Sequence, residues 1–350
     1  MGVYDYIVVG QGLAGTALAY SLYKAGAKVC IVQDSEGESS SSVAAGLYNP
    51  VTGRKMVKTW KADILFPELR RFYREAEQAC GADFLNELPI YRPFVSIEEQ
   101  NEWMGKSALD EYKDYIRDIR TGSGTTWTND PYGGVLLNNS GFLDIPKYLS
   151  AMKDFFHAEM TYIESRVDYD TIEADSSGVS WKGLKASGLI FCEGTHVVNN
   201  PFFSWLPFRP VKGEVIDIQM KVETSEIINR HVFVLPLPGG TFRVGSTYDN
   251  NDRSWQPTAE GRAKIEEQLG KLISAPYRVI GHRAGVRPAT ADRRPILGRH
   301  PEHETIFLFN GLGTKGVSLS PAFAAQLTNL LMKQNEPDKE VNISRYFSLY

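Results

Sequence analysis

Three features of this chain could do chemistry: a glycine hexad near its start, an arginine set between glycine and proline at Gly285-Val286-Arg287-Pro288, and a second glycine cluster at Gly311-Leu312-Gly313-Thr314-Lys315-Gly316. The hexad is Gly10-Gln11-Gly12-Leu13-Ala14-Gly15. Its surroundings decide its meaning. Tyr6-Ile7-Val8-Val9 reads as a short buried strand, and Leu18, Ala19, Leu22 and Ala25 recur at helical spacing before Gly26 ends the helix. In that strand-turn-helix setting Gly10 permits the tight turn, Gly12 lets a pyrophosphate approach the backbone, and Gly15 allows helix and strand to pack closely. The helix N-terminus then faces the phosphates. A second apolar strand, Lys28-Val29-Cys30-Ile31-Val32, runs to Gln33-Asp34, where an acid usually binds ribose hydroxyls. Either Gln33 or Asp34 takes that place, the amide without charge assistance.

The elements that position these features are spread over the whole chain. With 350 residues, 42% hydrophobic and 23% charged, it is long enough for two domains with proper cores. Residues 61–128 carry apolar residues at helical spacing, as in Leu65, Leu69, Phe72 and Tyr73, and read as a helical insertion. Tyr148, Leu149, Met152, Phe155 and Phe156 give one more apolar helical face, followed by strands at Met160–Ile163 and Gly188–Cys192. Residues 213–248 alternate in the manner of strands, and Ala259–Leu272 reads as a helix before the chain returns at Arg283–Leu297. Ser39–Ser42 reads as a solvated loop, and Ser320 with Pro321 as the start of the last helix.

Composition also excludes. Cys30, Cys80 and Cys192 are odd in number and lack metal-ligand spacing, so they read as thiols of a reducing cytoplasm. No secretory or membrane-spanning run is expected, because Asp5 interrupts the first apolar stretch and none is long enough. A net charge of −4 with no basic block gives no support to a nucleic-acid partner. The six histidines are scattered without a Ser or Cys arrangement, so none is a candidate general base.

The glycine hexad, Ser42-Val43-Ala44-Ala45-Gly46 with Asn49-Pro50, Arg209-Pro210-Val211-Lys212-Gly213-Glu214, Val244 to Asp249, Gly285 to Thr290 with Asp292 and Pro295, and Gly313 to Gly316 together resemble the D-amino-acid oxidase superfamily of FAD enzymes. Within it, the chain resembles the branch that holds glycine oxidase and the flavin domain of a bacterial tRNA wobble-uridine-modifying enzyme. Two departures stand out: Gln33 in place of an acid, and Cys192-Glu193-Gly194-Thr195-His196 where the family carries small residues and an aromatic.

The resemblance implies an α/β protein: an FAD-binding Rossmann-type domain of the glutathione-reductase kind, interleaved with a mixed-sheet α+β substrate domain. The first would take residues 1–80, 141–205 and 281–350, the second 81–140 and 206–280. It implies FAD contacts from Gly10, Gly12, Leu13, Ala14, Gly15, Gln33 or Asp34, Ala45, Gly46, Val167, Gly194, Gly311, Gly313, Thr314, Lys315, Gly316 and Val317. Lys315 would add charge beside the flavin pyrimidine, or is simply a solvated loop lysine. Arg287 is the expected anchor of a substrate carboxylate, through a bidentate fork; an ion pair with Asp292 is the plainer reading, and Arg283, four residues upstream, competes. Tyr248 and Asp249 border the same pocket in this reading, with Arg54 and Lys55 reaching it from another side. The implied activity is oxidation of a C–N bond of an amino acid or related amine by hydride transfer to flavin N5, with oxygen or another acceptor taking the electrons. FAD is expected to be noncovalent, since no cysteine lies near the C-terminal loop and no histidine near Gly46. Other readings are a flavin-dependent tRNA-modifying enzyme, an NAD-dependent dehydrogenase and a flavoprotein without catalytic activity.

Overall fold

A computed structural model describes residues 2–52 and 57–350, so Arg54 and Lys55 lie outside the described residues. The glycine hexad sits as its sequence dictates: strand Val3–Val9, a turn with Gly10 at φ +97°, and helix Leu13–Lys24. A Cβ on Gly15 would lie 1.7 Å from the Gly10 carbonyl oxygen, so only glycine lets the helix pack back on its own turn.

Around that unit forms a mainly parallel sheet. Strand Val3–Val9 pairs in parallel with Val29–Gln33 on one side and Leu184–Phe191 on the other; Thr161–Glu164 extends the first edge, and Ile306–Asn310 pairs with the second. Both faces are covered, which explains the unbroken apolar runs. Tyr6, Val8, Val29 and Ile31 enter one core cluster, while Ile7, Val9, Cys30 and Val32 enter another.

The second sheet has eight strands and is antiparallel except where Ile227–Arg230 meets Ile90–Pro93. Its alternation divides labour between two faces. Ile216, Ile218, Val234, Phe242 and Val244 pack with Ile265, Leu269 and Leu272 of the helix Ala259–Leu272. Gly213, Val215, Phe233 and Arg287 instead border the large cavity between the sheets.

Four expectations change. The stretch 61–128 is helical only at Ala62–Cys80 and Ile97–Ser107; Ile90–Pro93 and Ile116–Arg120 are strands of the second sheet, because Ile90 and Tyr91 pair with Leu137 and Leu136 and are buried there. The division drawn at residue 281 falls inside strand Arg278–Arg287, which pairs along its length with Val211–Gln219. Ser40–Val43 is a short helix, not a solvated loop: Ser40 Oγ donates to the Val286 carbonyl and Ser41 Oγ accepts from Leu13 N–H.

The last helix runs from Gly316 to Lys333, so it starts before Ser320, and Pro321 lies inside it. Proline there frees the carbonyl four residues back, that of Val317. Tyr73 Oη donates to that oxygen at 3.1 Å, and this bond lets the helix extend back to the cavity. Tyr73→Phe should therefore leave a buried carbonyl without a donor and destabilise the protein by about 1–3 kcal/mol. Denaturant unfolding checks this; an unchanged midpoint would show that Val317 finds another partner.

Candidate active site

The cavity measures about 2470 Å³, well above the roughly 300–1,000 Å³ of pockets for drug-sized ligands. It collects segments from both ends of the chain. The first wall is Gly10, Gly12, Leu13 and Ala14, the N-terminus of the dinucleotide helix. Beside it stand Gly311 (φ +77°), Gly313 (φ +54°), Thr314, Lys315, Gly316 and Val317, which lead into the last helix, with Gly316 packed against Leu13.

Neither Gly12 nor Lys315, which begin these two helices, supplies a side-chain cap. The helices starting at Ile97, Ile145 and Ala259 are capped by Ser96, Asp144 and Thr258. Two positive dipole ends thus turn toward one space, the first with its Leu13 N–H held by Ser41 Oγ at 3.3 Å. A pyrophosphate fits the first and an electron-rich ring the second. The residues present fit FAD.

Ala45, Gly46, Asp34, Gln33, Val167 and Gly194 border the same space. Gly15 does not, and contributes by packing alone. Gln33 Oε1 accepts from Gln11 N–H and its Nε2 donates to the Asp34 carbonyl, so the amide braces the glycine turn and keeps one N–H unspent. The Asp34 carboxylate accepts from Glu36 N–H at 3.1 Å. At the departure from the family pattern, Glu193 accepts from Tyr169 Oη at 3.0 Å and Asn200 Nδ2 at 2.8 Å, and burial pushes its carboxyl up to about 7. Cys192 is buried beneath the glycine turn, its thiol likewise pushed up by burial.

Arg287 ends its strand without a carboxylate. Nη1 donates to the carbonyls of Lys212 at 3.3 Å and Thr247 at 3.2 Å, and Nη2 donates to Ser246 Oγ at 2.8 Å. A Cβ on Gly213 would fall 2.0 Å from Nη2, so the guanidinium lies flat on a bare backbone. Tyr248, 66% exposed, covers it with its ring centroid 4.5 Å away. Burial draws the guanidinium below its ordinary range, yet arginine remains charged. Among the described residues the Nε–H has no partner, and Nε and Nη2 share the edge that grips carboxylates side-on.

The competing readings separate cleanly. Asp292 is held by Arg345 at 3.1 Å and Thr290 at 3.1 Å, not by Arg287. Arg283 is paired with Asp217 at 2.5 Å and does not border the cavity. Asp249 also stays outside, closing its own turn on Asn251 N–H. Lys315 reaches Thr52 and Thr59 at 3.3 and 3.4 Å, and burial, then Arg294, lowers its ammonium.

The supports of Arg287 were not visible as functional residues. Lys212, 1% exposed, holds the loop after Tyr248 by Nζ contacts to Asp252 at 2.5 Å, Ser254 Oγ at 3.1 Å and the Gln256 carbonyl at 2.5 Å. Glu214 accepts from Thr258 and lies 2.8 Å from His282 Nε2. Their signal was the run Arg209 to Glu214, whose alternation puts Gly213 under the guanidinium while Lys212 and Glu214 serve the other face.

Comparison with known proteins agrees with this geometry. Residues 5–330 match the family DAO: FAD dependent oxidoreductase. The chain belongs to that family. It is 25% identical to a glycine oxidase of Bacillus licheniformis, over 94% of this chain and 93% of that protein. It is 23% identical to the tRNA 5-methylaminomethyl-2-thiouridine biosynthesis bifunctional protein MnmC of Campylobacter fetus subsp. fetus, over 94% of this chain but 52% of the relative. Among solved structures it matches glycine oxidase from Geobacillus kaustophilus with a TM-score of 0.81 at 20% identity, covering 97% of both chains. It also matches iminodiacetate oxidase from Chelativorans sp. BNC1 with a TM-score of 0.78 at 21% identity, covering 98% of both. The chain is thus an FAD-dependent oxidoreductase. The nicotinamide reading of the glycine hexad does not fit this family.

Two outcomes test the cofactor end. Gly12→Val places a side chain where Ser41 Oγ already lies 3.3 Å from an added Cβ, so the purified variant should lose its FAD while keeping its far-UV dichroism; retention of stoichiometric flavin would contradict the assignment. For Glu193, a carboxyl raised from 4.5 to about 7 binds a proton more readily folded than unfolded. Its ionisation therefore removes stability as pH rises through that window. Glu193→Gln should flatten the fall in melting temperature of the FAD-free protein between pH 4.5 and 7, a profile measurable by calorimetry.

Proposed function

We propose that this enzyme oxidises the C–N bond of an amino acid or a related carboxylated amine, giving an imine that hydrolyses. The observation that carries the reading is Arg287: a charged, part-buried guanidinium whose Nε–H has no partner among the described residues, bordering a cavity that fits FAD. A carboxylate gripped there is fixed in position, and its Cα–H bond is directed at whatever lies between the two helix N-termini. FAD, when bound, supplies the hydride acceptor.

The chain's own residues do the rest. Tyr248 shields the Arg287 pair from water and strengthens it. Lys212 and Thr247 carbonyls keep the fork from turning. The last helix, with Lys315 at its N-cap, would offer its N-terminus to the negative charge that a bound flavin gathers on reduction. No side-chain base is needed if the amine arrives neutral. Glycine oxidase and iminodiacetate oxidase, both named for small carboxylated amines, support the substrate class.

The test is anaerobic flavin reduction by glycine, N-methylglycine, D-amino acids, proline and amines without a carboxylate. Arg287→Ala should slow reduction by amino acids by a factor on the order of tens to thousands, from a loss of about 2–5 kcal/mol. FAD content should hold. Arg287→Lys should recover only part, since it lacks the fork. Carboxylate-free amines should respond far less; equal slowing of both kinds would refute the anchor.

A further inference from the structure

The cavity wall is electrically divided. Its carboxylates, Asp34, Glu36, Glu38, Glu164, Asp168 and Glu193, all come from the strand ends of the first sheet and the segments just beyond them. Past residue 193, the described wall carries six cations and no carboxylate: Arg209, Arg253, Arg287, Arg293, Arg294 and Lys315. In a chain of net charge −4 this is a strong local bias. Among the described residues, none of the six lies within ion-pair distance of an acid.

Three of these cations have work already. Arg287 faces the substrate carboxylate, and Lys315 stands at the N-terminus of the last helix. Arg294 is stacked 4.0 Å over Trp60, which is itself stacked on Phe323. The remaining three, Arg209, Arg253 and Arg293, are exposed at the mouth.

They are not scattered. Arg209 N–H donates to the Ala289 carbonyl and Ala291 N–H to the Pro207 carbonyl, which joins the Arg209 segment to the turn bearing Arg293. Arg253 sits between Asp252 and Ser254, the two residues bound by Lys212 Nζ, and that lysine is joined to Asp249 by two backbone bonds. All three therefore sit on backbone tied to the segments that carry Arg287. An anionic ligand gains from several cations that no acid of the described residues pairs.

We propose that this mouth is a second anion subsite. Arg209, Arg253 and Arg293 receive a carboxylate or phosphate that the substrate carries on the far side of its nitrogen from the Arg287-bound carboxylate, so the preferred substrates are dianionic amines. The inference rests on the anchor reading of Arg287. Rim contacts of this kind mainly set apparent affinity and its salt dependence, not the chemical step.

The test uses FAD-loaded enzyme and ligands that have no C–N bond to oxidise. Flavin difference spectra report binding of methoxyacetate, a monoanion, and of its dianionic counterparts oxydiacetate and (phosphonomethoxy)acetate. Oxydiacetate should bind about tenfold more tightly than methoxyacetate at low ionic strength, an advantage that shrinks as salt is raised. The phosphonate arm tells which anion the mouth prefers. Replacing Arg209, Arg253 and Arg293 together by glutamine should abolish the advantage and leave methoxyacetate binding and FAD content unchanged. Equal affinity for mono- and dianion in the wild type, or an advantage that survives the triple variant, overturns the proposal. Salt-dependent binding of bulk tRNA that the triple variant loses, with no preference for small dianions, would overturn it in favour of a nucleic-acid ligand. Dianion binding without flavin reduction by any amine would sink the oxidation reading and leave the subsite standing.

Discussion

A part-buried positive charge with no carboxylate beside it is the constraint around which the substrate half of this protein is built. Among the described residues no acid pairs with Arg287, which is held instead by carbonyl oxygens, a hydroxyl and an aromatic face. Those groups come from two pieces of backbone, Lys212 and the consecutive residues Ser246, Thr247 and Tyr248, so the guanidinium stays put only if both do. Gly213 must lack a side chain, the strand Thr241–Gly245 must deliver Ser246 and Thr247, and the loop beyond must be tied down. Lys212 does the tying from the opposite face of the same strand, where its ammonium is fully satisfied. One face of strand Val211–Gln219 thus carries an unpaid charge and the other a paid one, and the pleat keeps them apart.

The cofactor half follows the same electrostatic logic with partial charges. Two helices begin at the cavity, and in neither does the side chain of the N-cap residue itself close the first turn. For the last helix this arrangement demanded a concession, because Pro321 sits inside it. Tyr73, reaching from the helix Ala62–Cys80, satisfies the freed carbonyl. Packing between helices distant in sequence therefore sets where the dipole end falls.

Much of this was legible in the residues. Glycine patterns mark conformations that other residues cannot adopt, so the hexad and the C-terminal cluster read directly, as did the helix Ala259–Leu272 and the strands on either side of it. What was hidden depended on partners remote in sequence. Ser320-Pro321 looks like a helix start because local rules allow Pro in a first turn; only Tyr73, nearly 250 residues away in the chain, makes an earlier start possible. Ile90-Tyr91 looked helical until paired with Leu136 and Leu137. Arg283 and Arg287 share one face of one strand, and only its place in the motif favoured Arg287. Asp217 separates them, since it lies within reach of Arg283 and leaves Arg287 without a carboxylate.

The charge pattern of the cavity is the clearest case of order that a linear reading misses. A search for a basic stripe finds none, because Arg209, Arg253, Arg293 and Arg294 are dispersed over some eighty residues and diluted by acids. Folding brings them together: the acids of the cavity wall, with Arg166 among them, follow the parallel strands, and the cations past residue 193 come from the second sheet and its connections. An amine without anionic groups gains nothing from these cations, which is the physical reason to expect specificity from the mouth.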